Sequence, residues 1–342
     1  MLRRPAGEAM TGSVLVTGGA GYIGSHACKA LAAAGWSPVA FDNLSRGHAH
    51  AVKWGPLVLG DVLDANALDR AFATFRPEAV LHFAALAYVG ESVEKPVEYY
   101  RNNFGGAVAL VDAMRRHGCD QLVFSSTCAV YGIPASGLVD ESQPRAPINP
   151  YGCSKNMVEQ LLADCADAHR LRSVSLRYFN CAGADPEGEI GEEHDPETHL
   201  IPRALRVAAG VLDRLEIYGN DYPSADGTAV RDYIHVADLA NAHVAALGYL
   251  GRGGTTTALN LGTGRGFSVR EVIAAVERIS GRRIATLERP RRRGDPPMLV
   301  AESRLARTRL GWEPRFPDLE EMISTAWRWE QRHTGAAEVI HA

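Results

Sequence analysis

Short apolar runs alternate with longer amphipathic stretches through the first half of the chain. Val14 to Thr17 is a β-rich run that ends at glycines, and Ser25 to Ala34 is an alanine-rich helical stretch closed by Gly35. Pro38 to Asp42 and Pro56 to Asp61 predict two further strands, each ending in an acid. Asn66 to Phe75 predicts a helix, Ala79 to Ala85 a fourth strand, and Val97 to His117 a long helix. Gln121 to Ser126 and Ser173 to Asn180 predict the fifth and sixth strands, with a helix over Tyr151 to His169 between them. Strands apolar throughout and joined by helices predict an α/β fold: a doubly wound parallel sheet covered on both faces.

The pattern changes after Asn180. Cys181 to His199 is rich in Gly, Asp, Glu and Pro and reads as a long irregular segment. Leu200 to Gly210 reads as helix, Leu215 to Tyr218 as strand, and Asp232 to Leu250 as a strand-like start with a helix returning to the first domain. Ala258 to Gly262 reads as another strand, and Ser268 to Gly281 and Asp318 to Arg332 as amphipathic helices. This half predicts a smaller mixed cap over the carboxyl ends of the strands. The expected division is a disordered extension at 1–12, a sheet domain at 13–180 with a returning segment at about 232–262, a cap from 181–231 and 263–335, and a tail at 336–342.

Composition narrows the class. The chain has 342 residues, 46% hydrophobic and 22% charged, with a net charge of −4, which fits a globular protein without general attraction to nucleic acid or anionic membrane. No run approaches the roughly 18 apolar residues of a membrane span, and Arg3 and Arg4 have no apolar core behind them, so a cytoplasmic protein is expected. Six cysteines without a Cys-x-x-Cys pair read as free thiols. His48 and His50 form the one close histidine pair, with no carboxylate or thiol pattern beside them; a solvated loop is expected, and no metal.

Candidate chemistry begins at the first strand. Gly18, Gly21 and Gly24 have G-x-x-G-x-x-G spacing, enclosing Tyr22 and Ile23. The glycines allow a tight turn, backbone approach to a pyrophosphate and close helix–strand packing, and the helix start offers free N–H groups. Asp42 ends the second strand, where a ribose diol is expected; a carboxylate accepts its hydroxyls and repels a 2′-phosphate, so NAD is predicted over NADP. No arginine directly follows, because Asn43, Leu44 and Ser45 precede Arg46. Asp61, with Val62, is placed to meet the adenine and reads equally well as a loop cap. Phe83, Ala84 and Ala85 give small backbone beneath a cofactor, or simply a buried strand end.

Tyr151 and Lys155 stand four residues apart on a predicted helix and so share a face. An ammonium there favours a phenolate, which makes the tyrosine a base near neutral pH. Ser125-Ser126-Thr127 at the end of the fifth strand adds hydroxyls. Together these describe a site for oxidising a carbinol.

The chain resembles the UDP-glucose (UDP-galactose) 4-epimerases of the extended short-chain dehydrogenase/reductase family. The resemblance rests on Thr17-Gly-Gly-Ala-Gly-Tyr-Ile-Gly-Ser-His26, Val89-Gly-Glu-Ser-Val93, Phe124-Ser-Ser-Thr127 and Asn149-Pro-Tyr-Gly152. It continues through Leu176-Arg-Tyr-Phe-Asn180, Val230-Arg-Asp-Tyr-Ile-His235, Asn260-Leu-Gly-Thr-Gly264 and Arg293-Gly-Asp295. It implies tightly bound NAD and a UDP-sugar substrate. Tyr151 is implied as base, Lys155 as ligand of the cofactor ribose, and Thr127 as proton relay; a strand-end cap is the plainer role for Thr127. Asn102 and Phe179 are implied to touch the cofactor, although Phe179 also reads as a core aromatic. Arg231 and Arg292 are implied to bind the diphosphate, Asn180 the phosphate or sugar, Tyr218 and Leu200 the uridine, and Asp295 its ribose. Without the aligned block, Arg292 would read as a solvated arginine. Leu299 is implied to set room beside the sugar's 2-substituent. A homodimer is implied too.

Departures from the family pattern are Ala87, Thr198-His199 and Leu299. A UDP-pentose 4-epimerase remains open. A dehydratase would need an acidic pair after the threonine, where this chain has Cys128 and Ala129, and a decarboxylase is a more distant rival. A nucleotide-sensing regulator would not need Tyr151, Lys155 and Thr127 together.

Overall fold

The computed structural model describes residues 12–292 and 295–340. The extension expected at 1–12 falls outside the described residues except for Gly12, as do Arg293 and Gly294. The chain runs β1 (Ser13–Thr17), α1 (Tyr22–Ala33), β2 (Ser37–Asp42), β3 (Leu57–Leu59), α2 (Ala65–Phe75) and β4 (Ala79–His82). Next come α3 (Val89–Glu94), α4 (Pro96–Tyr99), a π-helical turn (Tyr100–Gly105), α5 (Gly106–His117), β5 (Gln121–Ser125), β6 (Leu138–Val139), α6 (Pro150–His169) and β7 (Arg172–Tyr178). The second half holds β8 (Asn180–Ala182), α7 (Leu200–Ala208), β9 (Leu215–Tyr218), β10 (Val230–His235), α8 (Val236–Gly251) and β11 (Thr257–Leu261). It closes with β12 (Gly266–Ser268), α9 (Val269–Ser280), β13 (Thr286–Arg289), β14 (Met298–Ala301), α10 (Arg304–Leu310) and α11 (Leu319–Ile340).

Seven strands form one sheet in the order β11-β7-β5-β4-β1-β2-β3, with every neighbouring pair parallel. Side chains alternate across a strand, so Val14 and Val16 join a core with Leu31 of α1 and Leu239 and Leu247 of α8. Leu15 joins the opposite core, with Leu68 of α2, Leu110 and Met114 of α5, and Val158 of α6. Both faces are therefore covered, which is why the strands read as continuous apolar runs. The strand order reverses between β1 and β4, where a doubly wound sheet opens a crevice at its carboxyl ends.

A second sheet has the order β12-β10-β14-β6, with β8 pairing β10, and β9 pairs β13 separately. Helices α7, α9 and α11 enclose a further core around Leu205, Val272, Val276, Met322 and Ile323. The sixth strand expected over Ser173 to Asn180 in fact ends at Tyr178; Asn180 begins β8 in the other sheet, so the chain changes sheets at Phe179. The helix expected over Val97 to His117 is interrupted by the π-helical turn. There a Cβ on Gly106 would lie 2.7 Å from Val62 Cγ2, so glycine permits that close approach. The last helix continues to Ile340, into the expected tail.

Asp232 of β10 joins these parts. Its buried carboxylate accepts from Thr263 N at 2.9 Å, Thr263 Oγ1 at 2.8 Å, Gly264 N at 2.9 Å and Ala301 N at 3.1 Å. A Cβ on Gly262 would come within 2.5 Å of the same carboxylate, which explains that glycine. The loop after β11 and the end of β14 are thus fastened to β10 by one side chain. Removing it leaves three backbone N–H groups without acceptors, each costing on the order of 1–3 kcal/mol. Asp232→Ala is therefore expected to lower unfolding stability by about 3–5 kcal/mol in denaturant titration, and an unchanged midpoint would refute this account of the joint.

Candidate active site

The glycine turn is built by contact limits. Gly18 has φ +74°, and a Cβ there would lie 2.6 Å from Ala84 N. A Cβ on Gly24 would lie 2.1 Å from Gly18 O, so the start of α1 can pack against the turn only through glycine. Gly21 caps α1 without a side-chain acceptor, leaving the first N–H groups of the helix available. Asp42 accepts from Ala20 N at 3.0 Å and Leu44 N at 2.8 Å; burial raises its pKa while these N–H groups oppose the rise. Asp61 accepts from Asn43 Nδ2 at 2.9 Å and Leu63 N at 2.8 Å, so it caps its loop and also fixes Asn43 beside Asp42. Val62 is buried, and Ile23 packs on the α1 face of the sheet. Phe83 N and Ala84 N both donate to Thr17 O, fixing the turn that leads to Ala85. A cradle that only glycine fits, open helical N–H groups and an adjacent carboxylate suit a dinucleotide with a free ribose diol.

Two further side chains, at positions expected to touch the cofactor, are hydrogen-bonded within the protein. Tyr22 gives its hydroxyl to Gly183 O at 2.6 Å and its ring edge to His26, so its side chain ties α1 to the segment after β8. Asn102 donates to Asn103 Oδ1 at 3.0 Å, and Asn103 in turn donates to Leu86 O and Ser154 Oγ. Asn103 is thus the buried amide of the pair.

Tyr151 and Lys155 enter on α6. Pro150 takes the first helical position and Asn149 Oδ1 accepts from Gly152 N at 2.8 Å, which sets where the helix starts. Both side chains are buried. Lys155 Nζ donates to Ser125 O at 2.8 Å and lies 5.9 Å from the centre of the Tyr151 ring. Burial pushes Tyr151 up to about 12, and a hydrogen bond from Thr127 works against that rise. Burial also lowers Lys155 to about 7. Desolvation governs both groups, favouring the neutral phenol and the neutral amine. Thr127 Oγ1 accepts from Ala129 N at 3.1 Å, the strand-end cap.

The strand ends beneath are braced by a buried network that the sequence reading missed. Glu159 of α6 accepts from Ser126 Oγ at 2.5 Å and from Arg177 Nη2 at 2.5 Å, and Arg177 Nη1 donates to Tyr131 Oη at 2.9 Å. Tyr131 Oη donates onward to Asn260 Oδ1 at 2.7 Å. The signal was present: Arg177 is a charge next to Leu176 near the carboxyl end of a strand in a sheet covered on both faces. The His48–His50 pair also gains a carboxylate that its own stretch of sequence does not contain. Glu193, distant in sequence, meets His50 Nε2 at 3.1 Å, and His48 Nε2 lies 2.8 Å from Glu193 O.

On the cap side, Arg231 of β10 pairs in register with Leu299 of β14 and is hydrogen-bonded to Asp295. Leu299 is buried with Phe179 and Val130, beside Cys128. Arg292 lies over the Tyr218 ring, 4.0 Å from its centre, and Tyr218 donates to Glu216 at 2.6 Å. Asn180 lies opposite Tyr233, and Leu200 opens α7. Two groups result: Arg231, Asp295, Leu299 and Phe179 near the Thr127 turn, and Arg292 with Tyr218. All six cysteines are free. No helix among the described residues is long and apolar enough to cross a membrane.

A doubly wound parallel sheet with a glycine turn, an acid at the end of its second strand and a buried Tyr–Lys pair defines a dinucleotide-dependent enzyme of the short-chain dehydrogenase/reductase type. Residues 14–262 match the model of the NAD dependent epimerase/dehydratase family, and the chain belongs to that family. It is similar to the UDP-glucose 4-epimerase of Rhizobium leguminosarum bv. trifolii, 52% identical over 94% of this chain and 98% of that protein. The UDP-glucose 4-epimerase of Rhizobium meliloti is also 52% identical, over 94% of this chain and 97% of the relative. Among solved structures, the Brucella ovis UDP-glucose 4-epimerase in complex with NAD superposes with a TM-score of 0.91 at 53% identity, covering 95% of this chain and 99% of that one.

Removing one partner of a buried ion pair costs about 3–5 kcal/mol. Arg177→Met leaves Glu159 with Ser126 and Arg145, so a loss of about 3 kcal/mol is expected in urea unfolding. A loss below about 1 kcal/mol would show that the network does not brace the strand ends.

Proposed function

We propose that this chain interconverts UDP-glucose and UDP-galactose at C4, as a cytoplasmic homodimer with NAD held through the cycle. The observation that carries the reading is the buried Tyr151–Lys155 pair on α6 at the carboxyl ends of the sheet, with Lys155 Nζ held on Ser125 O at 2.8 Å and Thr127 just past the end of the same strand. Bound NAD would supply the acceptor and donor for the C4 hydride and a positive charge near the phenol. Tyr151 takes the proton of the sugar 4-hydroxyl, and Thr127 relays it. Lys155 meets the ribose hydroxyls of the cofactor, as Asp42, the Gly18–Gly24 turn and Asn43 meet its adenosine end. Burial of Tyr151 keeps bulk water from competing for that proton.

The cap residues hold the nucleotide. Arg231 and Arg292 bind the diphosphate, where guanidinium forks make the strongest contacts. Asp295 and Tyr218, their present partners, become ligands of ribose and uracil. Leu200 completes the uridine wall, Asn180 reaches the sugar phosphate, and Leu299 with Phe179 bounds the sugar pocket. Elimination chemistry is disfavoured at this site: burial lifts the Cys128 thiol to about 11, and Ala129 carries no proton. The homodimer reading draws support from exposed Val93 (64%) and Val97 (66%) on α3 and α4, with Val108 of α5 and Met157 of α6 also exposed.

Two measurements follow. Purified protein is expected to convert UDP-galactose to UDP-glucose without added cofactor, and Tyr151→Phe to lose on the order of 10²–10⁴ in turnover while still binding UDP. Near-native turnover by Tyr151→Phe would remove the base from the proposal. Light scattering is expected to give twice the chain mass of 36.9 kDa, falling to one chain for Val93→Glu combined with Val97→Glu. A monomeric unmodified protein would contradict the dimer.

A further inference from the structure

The irregular segment between β8 and α7 carries Glu192, His194, Glu197 and His199, a Glu-x-His-x-x-Glu-x-His pattern. None of the four belongs to the epimerisation machinery above. The fold gathers them into one cluster, with a ligand atom from each lying within 4.8 Å of the others. His199 Nδ1 is 2.8 Å from Glu192 Oε1 and 2.9 Å from Glu197 Oε1. His194 Nδ1 is 3.0 Å from Glu192 Oε1 and 3.7 Å from Glu197 Oε2. Four ligands around an ion with bonds of about 2.0–2.1 Å stand about 3.3–3.4 Å apart along the edges of a tetrahedron. Three of the separations here, 2.8–3.0 Å, are hydrogen-bond distances that must open by about 0.3–0.6 Å to admit an ion, and the fourth, 3.7 Å, must close by about the same.

A second observation points to a ligand. The Glu197 side chain is 1% exposed; its Oε1 accepts from His199 N at 2.7 Å, while its buried Oε2 has no hydrogen-bond partner. A buried carboxylate oxygen without a partner is costly, and it faces the same space as the two Nδ1 atoms. Glu192 and Glu197 are faced by two imidazoles, and a divalent cation would supply in one ion the two positive charges that the imidazolium protons otherwise bring, displacing those protons. The His199 side chain is 41% exposed, giving an ion a path from solvent.

We propose that Glu192, His194, Glu197 and His199 bind one divalent transition-metal ion of the zinc type. Two imidazole nitrogens beside two carboxylate oxygens suit zinc, cobalt or nickel, whereas magnesium and calcium take oxygen ligands. Four protein ligands leave no open position, so the ion is structural and takes no part in hydride transfer. Its place gives it a function. The rings of Tyr22, at the start of α1, and Tyr88, just before α3, both stand edge-on to His194, with centres 6.1 and 5.9 Å away. An ion here clamps the 192–199 segment against the glycine turn and the approach to α3.

The test uses the full-length protein with its cofactor retained, treated with chelator, desalted and titrated with cobalt(II). One equivalent is expected to give the intense visible bands of tetrahedral cobalt without sulfur charge-transfer absorption, and one equivalent of zinc to bleach them. Zinc is also expected to raise the melting temperature. His199→Asn should weaken cobalt binding roughly tenfold or more, and Glu192→Gln gives an independent second variant whose folding is checked by circular dichroism. His50→Asn, at the neighbouring exposed cluster with Glu193, should leave binding unchanged. Octahedral or absent cobalt bands would overturn the proposal. So would binding that survives both ligand variants, or binding lost in His50→Asn.

Discussion

The structure depends on the buried carboxylate of Asp232. Strand β10 carries Arg231 on one side of it and runs into α8 on the other, so it belongs to the cap sheet and to the covering of the main sheet together. Its four accepted hydrogen bonds reach the loop after β11, which is the last strand of the main sheet, and Ala301 at the end of β14. A displaced Asp232 would free Leu299 and Arg231 from their register and with them the wall facing Thr127. Burial raises the pKa of this carboxyl while backbone and hydroxyl donors hold it down, the balance expected of a charge kept inside by hydrogen bonds.

The catalytic pair obeys a harsher version of the same rule. Burial drives Tyr151 up to about 12 and Lys155 down to about 7, so the pair is poorly charged when left to itself. Thr127 is the neighbour whose hydrogen bond opposes the rise at the phenol. Glu159 and Arg177 hold the strand ends in place beneath it at the cost of burying two charges.

Much of the main sheet was legible because its strands are buried on both faces and show continuous apolar runs, and even three-residue β3 was marked by the acid that follows it. The cap was harder. Strands β6, β8 and β12 have two or three residues each, too few for alternation to register. The sheet change at Phe179 was hidden because Tyr178, Phe179 and Asn180 continue an extended run, and nothing local marks where pairing partners change. Gly18, Gly24 and Asp42 were legible because contact limits and hydrogen bonds fix their type locally. The lowered charge of Lys155 was not, because desolvation comes from residues far apart in the chain. Glu192 to His199 was read as irregular segment for a similar reason: its order comes from side chains meeting one another, not from a backbone period.

The central claim is that the hydrogen removed from C4 returns to C4 within one site. UDP-galactose carrying deuterium at C4, incubated with the protein in ordinary water, tests it most directly. The account predicts UDP-glucose that retains the deuterium at C4, because Tyr151 and Thr127 handle only the hydroxyl proton. Loss of the label to solvent would contradict it, since C4 inversion would then proceed by exchange of that hydrogen as a proton.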